Sequence, residues 1–161
     1  MSTFVIRPAT PADSATLFLL IKDLAEYEKL SDSVVATEAK IRASLFGPHP
    51  SAEAVIGEED GVPVGFALFF HNYSTFLAKR GLYLEDLFVK PDCRGRGYGK
   101  KLLIHLAKIA VARGCGRFEG AVLDWNTPAI DFYKKLGALP MNEWTVFRLD
   151  SDALSNLAKS E

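Results

Sequence analysis

LEDLFVKPDCRGRGYGKKLL, residues 84–103, runs from an apolar strand through a glycine-rich turn into an amphipathic helix. Pro91 and Asp92 stop the strand, and beyond the turn Leu102, Leu103, Leu106, Ile109 and Ala110 recur at helical spacing, with Gly114 placed as the C-terminal cap. The first backbone N–H groups of a helix have no internal acceptor, and the aligned peptide dipoles put partial positive charge there, so main chain alone can hold a phosphate. Gly95, Gly97 and Gly99 let the backbone approach such an anion without Cβ atoms in the way. The spacing excludes two nucleotide loops, since both G-x-x-x-x-G-K-[ST] and G-x-G-x-x-G require glycine where this chain has Lys100.

Working outward, GLYLEDLFVK (81–90) reads as the third strand of an antiparallel meander whose first two strands are AEAVIGEE (52–59) and PVGFALFFHN (63–72). Asp60-Gly61 between the first two is a hairpin signal. Upstream, TFVIR (3–7) reads as a strand ending at Pro8, and Thr10, Pro11 and Asp13 start a helix with Leu17, Leu20, Ile21 and Leu24 on its buried face. That helix fades near Leu30, and a second, shorter one is expected from Thr37 to Phe46. Downstream come a strand, RFEGAVL (117–123), a short helix capped by Thr127 with Pro128 at its first position and Gly137 past its end, a last strand, WTVFRL (144–149), and a tail helix after Ser151.

The 161 residues are 48% hydrophobic and 24% charged, with a net charge of -1, a composition that supports one globular domain and offers no basic field for nucleic acid. Cys93 and Cys115 are too few for a disulfide framework and lack zinc-site spacing, so no metal is expected. The N-terminus lacks the pattern of a secretory signal, and no apolar run is long enough to span a membrane. These readings place the protein in the reducing cytoplasm, without a membrane partner.

Arg94, Gly97 and Gly99 form R-x-x-G-x-G, and about thirty residues on, LDWNTPAIDFYKKLGA (123–138) has the form W-N-x-x-A-x-x-F-Y-x-x-x-G. The pair resembles the two coenzyme A segments of the GCN5-related N-acetyltransferases. FVIRPATPAD (4–13), LIKDLAEYE (20–28) and YLEDLFV (83–89) extend the similarity to the diamine acetyltransferase branch, which includes spermidine/spermine and thialysine enzymes. The resemblance implies a mixed α/β (α+β) fold over residues 1–161: a central, mostly antiparallel twisted sheet of about six to seven strands flanked by helices. It implies acetyl transfer from acetyl-coenzyme A to a primary amine by direct attack in a ternary complex, and a homodimer.

Residue by residue, the resemblance implies that main-chain groups of Leu87, Phe88 and Val89 bind the pantetheine and polarise the thioester carbonyl. Arg94, Gly95, Arg96, Gly97, Tyr98, Gly99 and Lys100 would hold the diphosphate, and Asn126 and Ala129 would contact the coenzyme. An alkylammonium with a pKa of about 10.4 leaves roughly one molecule in a few thousand able to attack at pH 7, so a base must take its proton. Glu85 is the candidate base and Tyr133 the candidate acid for the departing thiolate. Tyr27 and Glu28 match the branch's substrate contacts, and Glu143 is a further acidic candidate.

Each role has a plainer alternative: a solvent-facing carboxylate for Glu85 or Asp86, a packed aromatic for Tyr133, a helix cap for Asn126 and a solvated face for Glu143. Strand neighbours point to opposite faces, so Glu85 and Asp86 line one cleft only if a bulge intervenes. The NYSTF loop (72–76) lacks the acidic-plus-Trp arrangement associated with polyamine-preferring members, which favours a small diamine or lysine-like amino acid over spermine. Two other readings stand beside it: acetylation of a protein or another small amine, and a noncatalytic acyl-coenzyme A sensor.

Overall fold

A computed structural model describes residues 1–160. The chain forms two compact units, Met1–Ala121 and Val122–Glu161. In the first, strand β1 (Phe4–Pro8) leads into helix α1 (Ser14–Tyr27) and helix α2 (Glu38–Phe46). Strands β2 (Glu53–Glu59), β3 (Val62–Ser74) and β4 (Lys79–Val89) follow, then helix α3 (Tyr98–Ala112) and strand β5 (Phe118–Gly120). The second contains helices α4 (Thr127–Lys135) and α5 (Ser151–Ala158).

The sheet runs β1-β2-β3-β4-β5, antiparallel except for the parallel pair β4–β5. The expected hairpin closes at Asp60-Gly61, both in the left-handed region with φ of 51° and 81°, the backbone that suits tight hairpin twist. Before α1 the chain makes one 3-10 turn, Pro11–Asp13, so the regular helix starts later than the proline suggested. The Asp13 carboxylate accepts from the Thr10 backbone N–H at 2.7 Å.

Opposite residues on paired strands share a face, which sorts the core into two layers. Ile56, Phe66 and Phe88 lie across from one another and pack with Leu17, Leu20 and Leu24 of α1 and Ile41 of α2. The other face buries Val55, Ala67, Phe69, Leu82 and Leu84, and α3, whose buried stripe is Leu102, Leu103, Leu106 and Ala110, packs on β3 and β4. Burying each large side chain contributes roughly 1.5–3 kcal/mol.

Four expectations are corrected. The strand placed at 117–123 is only Phe118–Gly120, and residues 144–149 form no strand but an exposed, irregular stretch. Among the described residues the sheet therefore has five strands, fewer than the six to seven expected. A period-two pattern shows which side chains a strand would bury, but a ladder also needs a neighbouring edge to satisfy its backbone groups. Helix α4 is capped by Asn126 rather than Thr127, the Asn126 Oδ1 accepting from the Ala129 N–H at 3.4 Å, because its carbonyl oxygen reaches the third backbone amide beyond it.

Candidate functional site

The register of β3 against β4 changes at one point, where Leu68 lies opposite Asp86 and the next residue, Phe69, lies opposite Leu84. Glu85 is the extra residue of a bulge. The consequence is visible in burial: Leu84 faces away from α1, whereas Asp86 and Phe88, of the same parity, share the face of Leu68 and Phe66, which packs toward α1. An unbroken strand would have kept all three on one side.

The bulge gathers negative charge. Burial first, then Glu85 and Glu28, pushes the Asp86 carboxyl up to about 7. Burial and then Glu85 also raise Glu28, at the C-terminal end of α1. Glu85 itself is exposed and the other two are partly buried. Tyr83, its ring tilted 35° against Phe70 with centroids 5.0 Å apart, is raised by burial and then by Glu85 and Glu119. Carboxyls of differing burial at one strand irregularity can attract a cation and accept a proton from it.

β5 pairs with Leu82–Leu84, so among the described residues the β4 edge from Glu85 to Val89 has β3 on one side and no strand of the sheet on the other. Main-chain groups of Leu87, Phe88 and Val89, expected to meet pantetheine, lie along this stretch. One lone pair of the Val89 carbonyl accepts from Arg94 Nε at 2.8 Å.

The loop after Pro91 turns through Gly95 and Gly97, with φ of 78° and 81°, and Gly97 caps α3. At both positions a Cβ would meet nothing within 4 Å, so the space over the turn is open. Lys101 N–H bonds to Gly97 O at 3.0 Å as the first full helical turn closes, which leaves the amides of Tyr98, Gly99 and Lys100 without intrahelical acceptors. These features fit a diphosphate held by main chain.

The two arginines do other work. The Arg94 guanidinium lies over the rings of Tyr27, at 4.6 Å, and Phe88, at 5.4 Å, so a loop residue covers a candidate substrate contact on α1. Arg96 is paired with Glu59 at 2.7 Å.

In the second unit, Asn126 and Ala129 form the cap of α4, and Tyr133 lies further along the same helix, its ring edge-on to Phe132 at 5.3 Å. Asn126 is buried and Tyr133 partly buried. Glu143 is exposed in the irregular segment before α5. His71 has Nδ1 3.2 Å from Gly81 O and Nε2 3.1 Å from Arg113 Nη1, a structural network.

Sequence reading left Asp86 conditional on a bulge and missed Glu59 as a partner of the loop. Asp86 was adjacent to the chosen Glu85, but LYLEDLFV is equally compatible with an unbroken strand. Glu59 lies 37 residues from Arg96 and carries no local signal.

The family model described as the acetyltransferase (GNAT) family matches residues 20–138. The thialysine N-epsilon-acetyltransferase of Sus scrofa is 41% identical, over 98% of this chain and 99% of that protein. The L-ornithine N5-acetyltransferase of Arabidopsis thaliana is 35% identical, over 96% and 87%. Among solved structures, an integron cassette protein from the mobile metagenome of V. cholerae superposes with a TM-score of 0.82 at 27% identity, covering 98% of each chain. With a family model spanning most of its length and full-length relatives above the identity at which folds diverge, this chain belongs to the acetyltransferase (GNAT) family.

Proposed function

We propose that this protein transfers the acetyl group of acetyl-coenzyme A to a primary amine of a small diamine or lysine-like amino acid, thialysine and ornithine being the models its relatives supply. The observation that carries the reading is the β4 bulge, which sets Glu85 on an unpaired strand edge, in electrostatic reach of Glu28 and Asp86, just ahead of the glycine loop. The amine arrives as an ammonium ion, drawn by the acidic group and by Tyr27, Glu28 and Glu143. Glu85 takes the proton, directly or through water, as the nitrogen attacks the thioester carbonyl. Main-chain groups of Leu87, Phe88 and Val89 orient that carbonyl. The tetrahedral intermediate then collapses with loss of the C–S bond: the Tyr133 phenol gives its proton to the departing sulfur, and the second proton of the acylated nitrogen passes through water to the Tyr133 oxygen, leaving a neutral amide and a free thiol. The diphosphate rests on the loop from Arg94 to Lys100, chiefly on the amides of Tyr98, Gly99 and Lys100 that open α3, and Asn126 and Ala129 complete the coenzyme contacts.

The reading further comprises one catalytic domain over residues 1–161, a homodimer and a cytoplasmic site. The family match runs across the boundary between the two units, which supports the first. Exposed apolar side chains in the second unit, Phe147 at 93% among them, support the second. Both cysteines are free, in keeping with a reducing compartment. No helix among the described residues is long and apolar enough to cross a membrane.

The test is coenzyme A release with thialysine, lysine, ornithine, putrescine, spermidine and peptides. Glu85→Gln and Tyr133→Phe are each expected to lower kcat by about ten to ten thousandfold. Thiol release with no amine in the panel would favour an acyl-coenzyme A sensor, and release only with peptides a protein acetyltransferase.

A further inference from the structure

We infer that Glu59 is a positioning residue for the coenzyme, shaping the diphosphate loop before the ligand arrives by fastening the residues on both sides of Gly97 to one carboxylate. The inference rests on the acetyl-coenzyme A reading above.

Glu59 ends β2, opposite Phe4 on one side and Val62 on the other, so its backbone is held in the sheet. Its side chain is only 13% exposed. Oε1 accepts from the Tyr98 hydroxyl at 2.6 Å, and Arg96 Nη1 donates to Oε1 at 2.7 Å and Oε2 at 2.8 Å. Arg96 Nη2 also donates to Asp92 O at 3.2 Å, tying the start of the loop into the same cluster. The Tyr98 ring stacks on Phe4 at 4.0 Å and 5°, and the residue is 5% exposed. The Tyr98 hydroxyl, then Ser2 and Arg96, holds the Glu59 carboxyl below the usual carboxylate range.

Between the two fastened residues is Gly97, left-handed at φ 81°. Glycine permits that turn but does not enforce it, since it is also the residue with most freedom to lose. A loop left loose would have to be ordered on each binding event, which weakens affinity; fixing it in advance removes that cost. The charges agree with this division of labour. Glu59 alone would repel a diphosphate, but Arg96 neutralises it, so Arg96 serves as a strut and the main chain is left to bind the anion.

Kinetics with two acetyl donors separate this role from general destabilisation. With acetyl-coenzyme A, Glu59→Ala is expected to raise the donor KM, and the calorimetric Kd for coenzyme A, by about ten to a hundredfold. At saturation kcat should stay within about threefold of wild type, a split that marks lost binding rather than lost chemistry. With S-acetylpantetheine, which has no diphosphate, Glu59→Ala and wild type should be indistinguishable. Glu59→Gln, which keeps an acceptor for Tyr98, should recover part of the affinity. Tyr98→Phe, which keeps the stack on Phe4, should give a smaller KM increase that disappears when combined with Glu59→Ala. An unchanged donor KM in Glu59→Ala, or equal losses with both donors, overturns the inference while leaving the acetyltransferase reading intact. Absence of coenzyme A binding by wild type overturns both.

Discussion

Asp86 lies one position past the bulge, on the face shared with Leu68 and Phe88. Its carboxyl is pushed up to about 7 because burial, then Glu85 and Glu28, all disfavour the charged form. A raised carboxylate holds its proton more tightly in the folded than in the unfolded chain, so folding is penalised as pH climbs past the ordinary value of about 3.8, and the penalty is complete above about 7. Each unit of displacement is about 1.4 kcal/mol. Asp86→Asn is therefore expected to stabilise the fold by about 2–4 kcal/mol at pH 8, with the gain vanishing by about pH 4; urea titrations at both values read it, and an equal gain at both would remove the electrostatic cause. At this scale the sequence offered Glu85 as a candidate through motif resemblance. It offered Asp86 only on condition of a bulge, because one inserted residue in a ladder leaves no mark on local alternation.

Elements were the most legible level, since helical spacing, Asp60-Gly61 and the glycines before α3 are short-range signals. What holds the elements to one another was less so. Arg7 of β1 donates through Nε to Glu58 of β2 at 2.8 Å and through its two terminal nitrogens to Asp13 at 2.8 and 2.9 Å, binding two strands to the turn that opens α1. The Arg7 hydrogen bonds hold the Asp13 carboxyl at about 2 against its burial. A lowered carboxylate contributes stability that is present above its unfolded value of about 3.8 and is lost as pH falls through about 2. Asp13→Asn should then cost about 2–3 kcal/mol at pH 7, with the two proteins converging near pH 2, as denaturation at graded pH will measure. Sequence proposed Asp13 as part of a helix cap. Its partnership with Arg7 spans only six residues, whereas the third bond of the cluster, from Arg7 to Glu58 51 residues away, depends on β1 lying beside β2.

For the whole molecule, Trp144, Val146, Phe147 and Leu149 are all exposed in a stretch whose alternation reads as a strand. The proposed homodimer predicts a two-chain mass by sedimentation at micromolar concentration. Val146→Lys with Phe147→Lys should shift it to one chain, and a single-chain mass for wild type would remove the dimer from the reading. The chain's own letters determined the order of the elements up to α4, the hairpin, and the long helix with its glycine turn, because each depends on residues within a few positions of one another. Tertiary structure alone decided that Glu85 stands out of register, that Asp86 turns toward α1, that Arg94 covers Tyr27 and that Arg96 answers to Glu59. Those facts depend on which distant residue lies opposite across a ladder or a packed face, and no local pattern encodes that choice.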